Sequence, residues 1–306
     1  MKKLLILLLT LAWAMPGLTK TLTATTIEGV EMLFEVTSEI RKTCQTAPGA
    51  TGQMACIPLY TRGKVTIPEV VDGYTVKEIG CESFAACPAI TEVVIPESVM
   101  VIDDCAFEAS YGLYKVNIPE GVIVIGDRAF CATGIREITV GSNFWEDEMT
   151  IGSQAFCGCT GLKRITLLNN VYRLEMSCIS ECSSLETLII GSGLEEIEDG
   201  NFRDLGALET IFVAPDNPCF NTRDNSNMLI RTADDCALTA TRNFKFPPGL
   251  HGIGSYAFSS MPITNIIIPA SVQYYGFNPF FKCPLESIVV EETNPCYDSR
   301  DSCNAV

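Results

Sequence analysis

Two stretches of the chain have nearly the same sequence. Residues 95–107 read IPESVMVIDDCAF, and residues 118–130, which lie 23 positions further along, read IPEGVIVIGDRAF. Most of the letters are identical, and the apolar ones fall at the same offsets. A recurrence of this length is typical of solenoid proteins, in which each repeat buries its apolar side against its neighbours. The sequence therefore predicts a repeat array.

The phenylalanine that ends each stretch belongs to a column that runs through most of the chain. Its members are Phe84, Phe107, Phe130, Phe156, Ile179, Phe202, Phe258 and Phe280. Five residues before each of them lies a second apolar column, formed by Ile79, Ile102, Ile125, Ile151, Leu174, Ile197, Ile253 and Tyr275. Fixed offsets with a period of about 20–29 residues mark leucine-rich repeats. We predict a β-rich leucine-rich-repeat solenoid of parallel strands and short helical turns, with about eight repeats and a partial ninth behind a small β cap.

The segment that follows each aromatic residue is predicted to be a strand. In residues 90–95, ITEVVI, the apolar residues Ile90, Val93 and Ile95 would point inward while the others face solvent. The alternation at the end of this segment is that of a half-buried strand. Before the next strand, Phe107 is predicted to lie on a short helical turn with its ring inside the solenoid.

The repeat divides the chain into three parts. We predict a signal peptide over residues 1–19, an N-terminal β cap over residues 20–64 and the repeat array over residues 65–306. An insertion rich in turn-forming residues lies near 214–245, and the last repeat is truncated. Two cap segments are predicted to be short strands or a hairpin: Met32–Val36 and Cys56–Tyr60.

The first residues have the features of a secretory signal. Met1–Lys3 is positively charged, Leu4–Ala14 is an apolar run, and Ala12–Ala14 offers an A-x-A cleavage site. The run is shorter than the roughly 20 residues that span a bilayer. We expect cleavage between Ala14 and Lys20, no direct membrane insertion, and a protein that is secreted or held at the cell surface.

Three phrases carry a resemblance to a known family. They are IPEGVIVIGDRAF (118–130), TIGSQAFCGCTGLKRITL (150–167) and SIVVEETNPCYDSRDSCNAV (287–306). They resemble the BspA-type leucine-rich repeats of bacterial surface proteins, over roughly Val65–Val306. The resemblance implies a solenoid, export, and attachment to host proteins, other cells or glycans. It brings no catalytic residue with it.

The charge balance argues against two classes of partner. The chain has 21 basic and 37 acidic residues, which give a net charge of −16. Nucleic-acid binding depends on basic patches that displace counterions from phosphate, and anionic lipid headgroups also attract basic segments. We therefore expect no nucleic-acid partner and no adhesion to lipid headgroups.

The cysteines fall into two groups by position. Cys87, Cys159, Cys182 and Cys283 lie three residues after the aromatic column, and Cys131 and Cys157 lie one residue after it. Periodic placement predicts buried free thiols that act as small packing groups. Disulfides are more expected away from the column, and the candidate pairs are Cys44 with Cys56 and Cys296 with Cys303.

No residue pattern predicts catalysis, a metal site or a cofactor. His251 is the only histidine, and its position between the apolar anchors predicts an exposed loop residue. The adjacent carboxylates Asp103–Asp104 and Glu195–Glu196 occupy turn positions, whereas an acid/base couple needs one shielded carboxylate. Asp224–Asn227 lacks the full ligand spacing of a calcium loop.

The outward positions of the strands form the candidate binding face. One outward column runs Val94, Asn117, Thr139, Thr166, Ile189, Phe212, Ile267 and Val289, and its later half is apolar. Beside it lies a basic cluster of Lys115, Arg136, Lys163 and Arg164. A contiguous apolar stripe can mark a binding site, but β-propensity on a paired sheet explains the same residues.

Two functions of different classes remain. The first is an exported, non-catalytic adhesion module that engages an extracellular protein, from the host matrix or another cell surface, or a glycan. The second is a structural spacer in a longer surface protein.

Overall fold

The structure is a computed structural model that describes residues 20–47, 55–144 and 147–299. The predicted signal peptide therefore lies outside the described residues. The first twelve strands are β1 (Thr21–Thr25), β2 (Glu31–Ser38), β3 (Thr43–Thr46), β4 (Gly63–Thr66), β5 (Val70–Val71), β6 (Tyr74–Ile79), β7 (Ile90–Val94), β8 (Val101–Ile102), β9 (Lys115–Val116), β10 (Val124–Ile125), β11 (Glu137–Val140) and β12 (Met149–Ile151).

The later strands continue the same rhythm. They are β13 (Arg164–Leu167), β14 (Val171–Leu174), β15 (Thr187–Ile190), β16 (Glu196–Ile197), β17 (Thr210–Val213), β18 (Phe220–Asn221), β19 (Met228–Arg231), β20 (Cys236–Ala240), β21 (Gly252–Ile253), β22 (Asn265–Ile268), β23 (Tyr274–Tyr275) and β24 (Ser287–Val290). Within the described part of the chain, the only helical element is a 3-10 turn at Arg223–Asn225.

Most coils of the array contribute two strands, one to a front face and one to a back face. The front face consists of three parallel groups, β4-β7-β9, β11-β13-β15-β17 and β22-β24. The back face is a sheet in the order β1-β2-β3-β6-β8-β10-β12-β14-β16, followed by a second sheet that ends in β20-β21-β23. This arrangement confirms the predicted solenoid. The front strands are the segments predicted to follow each aromatic residue. The second apolar column, five residues before each aromatic residue, lies in the back strands.

The N-terminal segment closes one end of the back sheet. β1, β2 and β3 pair antiparallel, and β3 then pairs parallel with β6 of the first coil. The strand predicted at Met32–Val36 is part of β2, but Cys56–Tyr60 forms no strand. Pro58 has no N–H to donate to a ladder, and the Cys56 amide instead bonds to the Ser83 carbonyl in the first turn, at 2.6 Å.

Four successive coils each contribute one phenylalanine ring to a stack in the core. Phe84, Phe107, Phe130 and Phe156 are fully buried, and the centroids of successive rings lie 5.0, 5.0 and 5.3 Å apart. Their planes are inclined by 9° or less. Ile179 ends this stack. The inward position predicted for Phe107 is therefore confirmed.

The turn around Phe107 differs from the predicted helical turn. Cys105 and Ala109 have φ values of 55° and 56°, in the left-handed region that a right-handed helix does not use. The amides of Phe107 and Ala109 donate to Ala129 and Cys131 of the next coil, at 2.7 and 2.9 Å. These bonds run along the solenoid axis, so the turn joins neighbouring coils and does not form an internal helical ladder.

The predicted insertion is itself ordered as β structure. β18, β19 and β20 pair antiparallel, and β20 then pairs parallel with β21, which returns the chain to the array. Asn217 is buried at the start of this segment. Its Nδ2 donates to the carbonyls of Gly191 and Leu194, and its Oδ1 accepts from the amides of Cys219 and Phe220.

Candidate binding face

The apolar stripe begins with two residues in register on neighbouring strands. Ile189 on β15 lies opposite Phe212 on β17. The alternation of each strand places Leu188 and Ile211 inward and turns the stripe residues outward. Phe212 is 50% exposed, and Ile189 is half-buried. The structure thus joins these two predicted residues in one apolar patch.

The other two stripe residues form a separate pair. Ile267 on β22 lies opposite Val289 on β24, and both are exposed. No ladder joins β17 to β22 in the described ranges, because the meander β18–β20 intervenes in the sequence and the two strands belong to different sheets. The stripe is therefore two patches, one on each side of the insertion.

Two of the four predicted basic residues are engaged in ion pairs between coils. Lys115 Nζ lies 3.2 Å from Glu92 Oε1, and that carboxylate also receives Lys64. Lys163 Nζ lies 2.9 Å from Glu186 Oε1. The sequence contains a signal for both pairs, since each lysine is one period of 23 residues from its glutamate. Each of these lysines is paired with a glutamate of a neighbouring coil, and the pairing reduces the positive potential that the lysine presents to solvent.

The other two basic residues have no carboxylate partner in the described part of the chain. The Arg136 guanidinium lies 5.5 Å from the centroid of the Tyr114 ring, a cation–π contact. Arg164 begins β13, in register with Glu137 and Thr187. Tyr114 is 43% exposed and belongs to this surface. Sequence reasoning missed it, although it occupies an outward position of the repeat.

Three of the four cysteines that lie three residues after the aromatic column have a common structural role, whereas the Cys87 thiol donates to the Ala85 carbonyl at 3.6 Å. The thiols of Cys159, Cys182 and Cys283 donate to the carbonyls of the aromatic column residue one coil earlier, at 3.1, 3.2 and 2.9 Å. Ser110 makes the same bond, to the Phe84 carbonyl, at 2.6 Å. All of these thiols are free, as predicted.

The disulfide predicted between Cys44 and Cys56 is absent. Both thiols are buried and free. Cys44 on β3 points toward the Tyr74 carbonyl, at 3.8 Å, whereas Cys56 lies near Cys87 of the first turn. The two side chains therefore lie in different parts of the core. Cys303, the partner predicted for Cys296, lies outside the described residues.

The remaining polar candidates have structural positions. His251 is exposed, as predicted. The Asp104 carboxylate accepts from the Asp127 amide, and the Asp127 carboxylate accepts from the Ser153 amide, each at 2.7 Å. These bonds tie successive turns together. Within residues 20–47, 55–144 and 147–299, no group of three or more His, Cys, Asp or Glu side chains is placed to hold a metal ion.

An open cleft of about 370 Å³ lies where the insertion interrupts the array. Its lining residues are Glu181, Ser183, Asp204, Gly206, Ala207, Arg242, Ser260 and Lys282. Lys282 Nζ lies 2.8 Å from Asp204 Oδ2, and Arg242 Nε donates to the Gly206 carbonyl at 2.8 Å. The charged groups of the cleft thus connect the coil of Phe202 to the end of the meander and to the coil of Phe280.

Comparison with known proteins decides the family. The sequence matches the BspA type leucine-rich repeat region in 6 copies, over residues 64–146, 146–225 and 235–299. The chain belongs to the BspA-type leucine-rich repeat family. In this family the repeat is a packing unit that recurs along the chain. Among curated proteins, none matches this sequence. In the described residues, no helix has the length and apolar character needed to cross a membrane.

Solved structures share the fold of this BspA-type chain. The pneumococcal vaccine antigen PcpA is 17% identical, with a TM-score of 0.60 over 89% of this chain and 82% of its own. A leucine-rich cell surface protein of Faecalibacterium prausnitzii is 20% identical, with a TM-score of 0.60 over 94% of this chain and 78% of its own. A leucine-rich repeat protein of Bacteroides ovatus is 22% identical, with a TM-score of 0.52 over 92% and 67%.

Proposed function

We propose that the chain is an exported, non-catalytic binding module whose front face engages an extracellular protein or glycan. The observation that carries the proposal is Phe212, an aromatic side chain that is half exposed on a regular parallel sheet, beside Ile189. A ring held outward by a paired strand loses little entropy when it binds, and aromatic anchors dominate interface energies.

Electrostatics would orient the partner. Arg164 begins β13 and Arg136 immediately precedes the neighbouring β11, in the same sheet as Phe212, and neither arginine forms an ion pair with the described residues. Lys115 and Lys163 contribute less to the outward field, since each is paired with a glutamate. Complementary charge chiefly affects the rate of association, so we assign the two arginines a steering role toward an acidic partner.

Export is supported by the N-terminal sequence and by a relative. Residues 1–14 combine a basic start, an apolar run and an A-x-A site, and the Faecalibacterium prausnitzii protein is described as a cell surface protein. N-terminal sequencing of secreted material should find a start between Ala14 and Lys20. Exported protein that keeps Met1 would contradict this part of the proposal.

The anchor is tested with Phe212→Ser. Binding is measured by biolayer interferometry against purified extracellular-matrix proteins and on a glycan array. For any partner found, affinity should fall about 30-fold, which corresponds to about 2 kcal/mol. Thr139→Ser, at an exposed position in the same column, is the control and should bind like the parent. Urea unfolding should show both variants folded, because both side chains point away from the core.

The steering role is tested with the double variant Arg136→Glu, Arg164→Glu. Association should slow, and more at low salt than at high salt, while dissociation changes little. The control Arg41→Glu, Lys77→Glu makes the same change in net charge away from the front face. Unchanged binding by this variant and by Phe212→Ser would exclude the front face. The insertion at residues 217–227 would then be the next candidate.

A second function, a structural spacer, is favoured by one observation. The ion pairs of Lys115 with Glu92 and Lys163 with Glu186 satisfy front-face charges within the protein. Charges arranged in this way stiffen the array and offer little to a partner. A spacer would bind none of the extracellular-matrix proteins and nothing on the glycan array. Its role would depend only on the length of the array.

A further inference from the structure

Cys131 and Cys157 differ from the other cysteines of the array. They occupy the same position, one residue after the aromatic column, in two successive coils. The coils are held in register by the amides of Phe130 and Ala132, which donate to the carbonyls of Ala155 and Cys157, both at 2.8 Å. The two side chains are therefore direct neighbours along the solenoid axis.

Their exposure separates them from the fully buried cysteines of the array. Cys131 and Cys157 are only partly buried, whereas Cys159 and Cys182 are fully buried and donate to backbone carbonyls. A buried thiol that is occupied by a hydrogen bond is inert, whereas a partly exposed thiol beside cationic groups is reactive. The sequence grouped all of these cysteines as packing residues, but the structure separates one reactive pair.

The groups around Cys157 favour its thiolate. The Cys131 thiol is the neighbour that most lowers the pKa of Cys157, and the Ser180 hydroxyl donates to the Cys157 sulfur at 3.3 Å. Together with the guanidinium groups of Arg203 and Arg128, these groups bring the pKa of Cys157 to about 6. The neighbouring Cys157 sulfur and partial burial raise the pKa of Cys131. One sulfur is thus prepared to attack, and the other holds a proton.

The spacing is compatible with a bond between them. Stacked strands lie about 4.8 Å apart, and the ring centroids of Phe130 and Phe156, one residue away, lie 5.3 Å apart. Disulfides join residues whose Cα atoms are about 4.4–6.8 Å apart. Rotation of the two partly buried side chains about their Cα–Cβ bonds can then close the remaining distance between the sulfurs.

We propose that Cys131 and Cys157 form an oxidation site that closes a disulfide between adjacent coils by exchange with a small-molecule disulfide. The Cys157 thiolate attacks one sulfur of the external disulfide, breaks its S–S bond and releases one thiolate. The Cys131 thiol then loses its proton to solvent and attacks the Cys157 sulfur, which expels the second thiolate. Both leaving thiolates take up protons. The protein loses two hydrogen atoms, and one external disulfide becomes two thiols.

The test incubates the purified chain with oxidised glutathione at pH 7.5, then alkylates, digests with trypsin and analyses peptides by mass spectrometry. Cys157 and Cys159 share one tryptic peptide, so the assignment uses Cys159→Ser. Serine is compatible with that position, because Ser110 makes the equivalent hydrogen bond. We expect a reducible link between the peptides of Cys131 and Cys157 in the parent and in Cys159→Ser. Loss of the link in Cys159→Ser, or no link in the parent, overturns the proposal.

Single variants test the order of attack. Cys131→Ser should accumulate glutathione on Cys157, because the resolving thiol is gone. Cys157→Ser should take up glutathione at Cys131 at least about tenfold more slowly, since partial burial keeps that thiol protonated. Equal rates at the two sulfurs would overturn the assigned roles. The parent protein reports whether a link joins the two peptides, and urea unfolding checks that Cys159→Ser is folded before its result is used to assign the link.

Discussion

Phe130 occupies the middle of the ring stack, with Phe107 and Phe156 at 5.0 and 5.3 Å. It is fully buried, so Phe130→Ala should destabilise its surroundings by about 3–5 kcal/mol. Because each coil touches only its neighbours, hydrogen exchange should accelerate in the coils of these three residues and remain slow around Phe258. Uniform loss of protection along the chain would contradict a core built coil by coil.

Glu78 gives the protein a pH-dependent stability. Burial on β6, with Asp103 nearby, raises its pKa from the ordinary 4.5 to about 7. Between these two values the carboxyl is protonated in the folded chain and ionised in the unfolded chain. The folded state then binds more protons, so the contribution of Glu78 to stability is greatest below about pH 4.5 and falls as the pH rises to about 7.

Removing this carboxyl charge should therefore stabilise the protein in neutral and basic solution. Glu78→Gln should raise the free energy of unfolding by about 1–3 kcal/mol at pH 8 and have little effect at pH 4. Urea unfolding at the two pH values measures the difference. Glu69→Gln removes the same charge from an exposed position and is the matched control. A gain of equal size at pH 4 would rule out ionisation as its cause.

At the scale of elements, Asn217 and Asn294 are the second residues of two related segments, DNPCF (216–220) and TNPCY (293–297). The Asn294 side chain makes the same four bonds as Asn217. Its Nδ2 donates to the carbonyls of Pro269 and Val272, and its Oδ1 accepts from the amides of Cys296 and Tyr297. One asparagine in each segment thus satisfies two carbonyls of the preceding coil and fixes the start of the following turn. Only an amide side chain can donate and accept in this way.

Asn217→Ala should cost about 2–4 kcal/mol, because it leaves buried backbone groups without partners. Asn294→Ala removes the same bonds at a half-exposed site, where water can replace them, and should cost less. Urea unfolding compares the two, and limited proteolysis should cut first within residues 214–245 of Asn217→Ala. Equal losses in the two variants would show that burial does not decide the effect.

The sequence predicted the elements that recur and missed those that depend on neighbours. Phe130 and Ile125 could be assigned inward because every coil must bury the same positions. The turn at Cys105 could not, because its amides bond to the next coil, and local propensity contains no information about that partner. The pairing of Lys163 with Glu186 could be predicted from the sequence, because the two residues lie one period of 23 residues apart. The division of the stripe between Phe212 and Ile267 depends on the meander, whose strand order no periodicity specifies.

At the scale of the molecule, the core is divided into two clusters. The first extends from Leu22 to Leu229, and the second and smaller one extends from Met228 to Val290. The meander of β18–β20 lies at their junction. Across it, Asp204 accepts from the hydroxyls of Ser259 and Ser260. The two clusters share polar contacts and little apolar surface.

The smaller cluster should therefore unfold first in urea. Hydrogen exchange at rising denaturant should release residues 228–290 while residues 65–213 stay protected, because less apolar area stabilises the second cluster. Phe258→Ala should widen the gap between the two transitions, whereas Phe130→Ala should narrow it. A single transition for all amides in the parent and in both variants would show that the clusters unfold together.

The even spacing of the coils also has a meaning for the gene. Each of the two coils between Phe84 and Phe130 corresponds to 23 codons, and its two flat surfaces match those of the coils beside it. In-frame recombination that gains or loses 23 codons adds or removes one whole coil. The coils on either side can then stack on each other directly, because their stacking surfaces match. The area of the front face can thus grow or shrink between lineages by whole coils, while the chemistry of each coil is inherited unchanged.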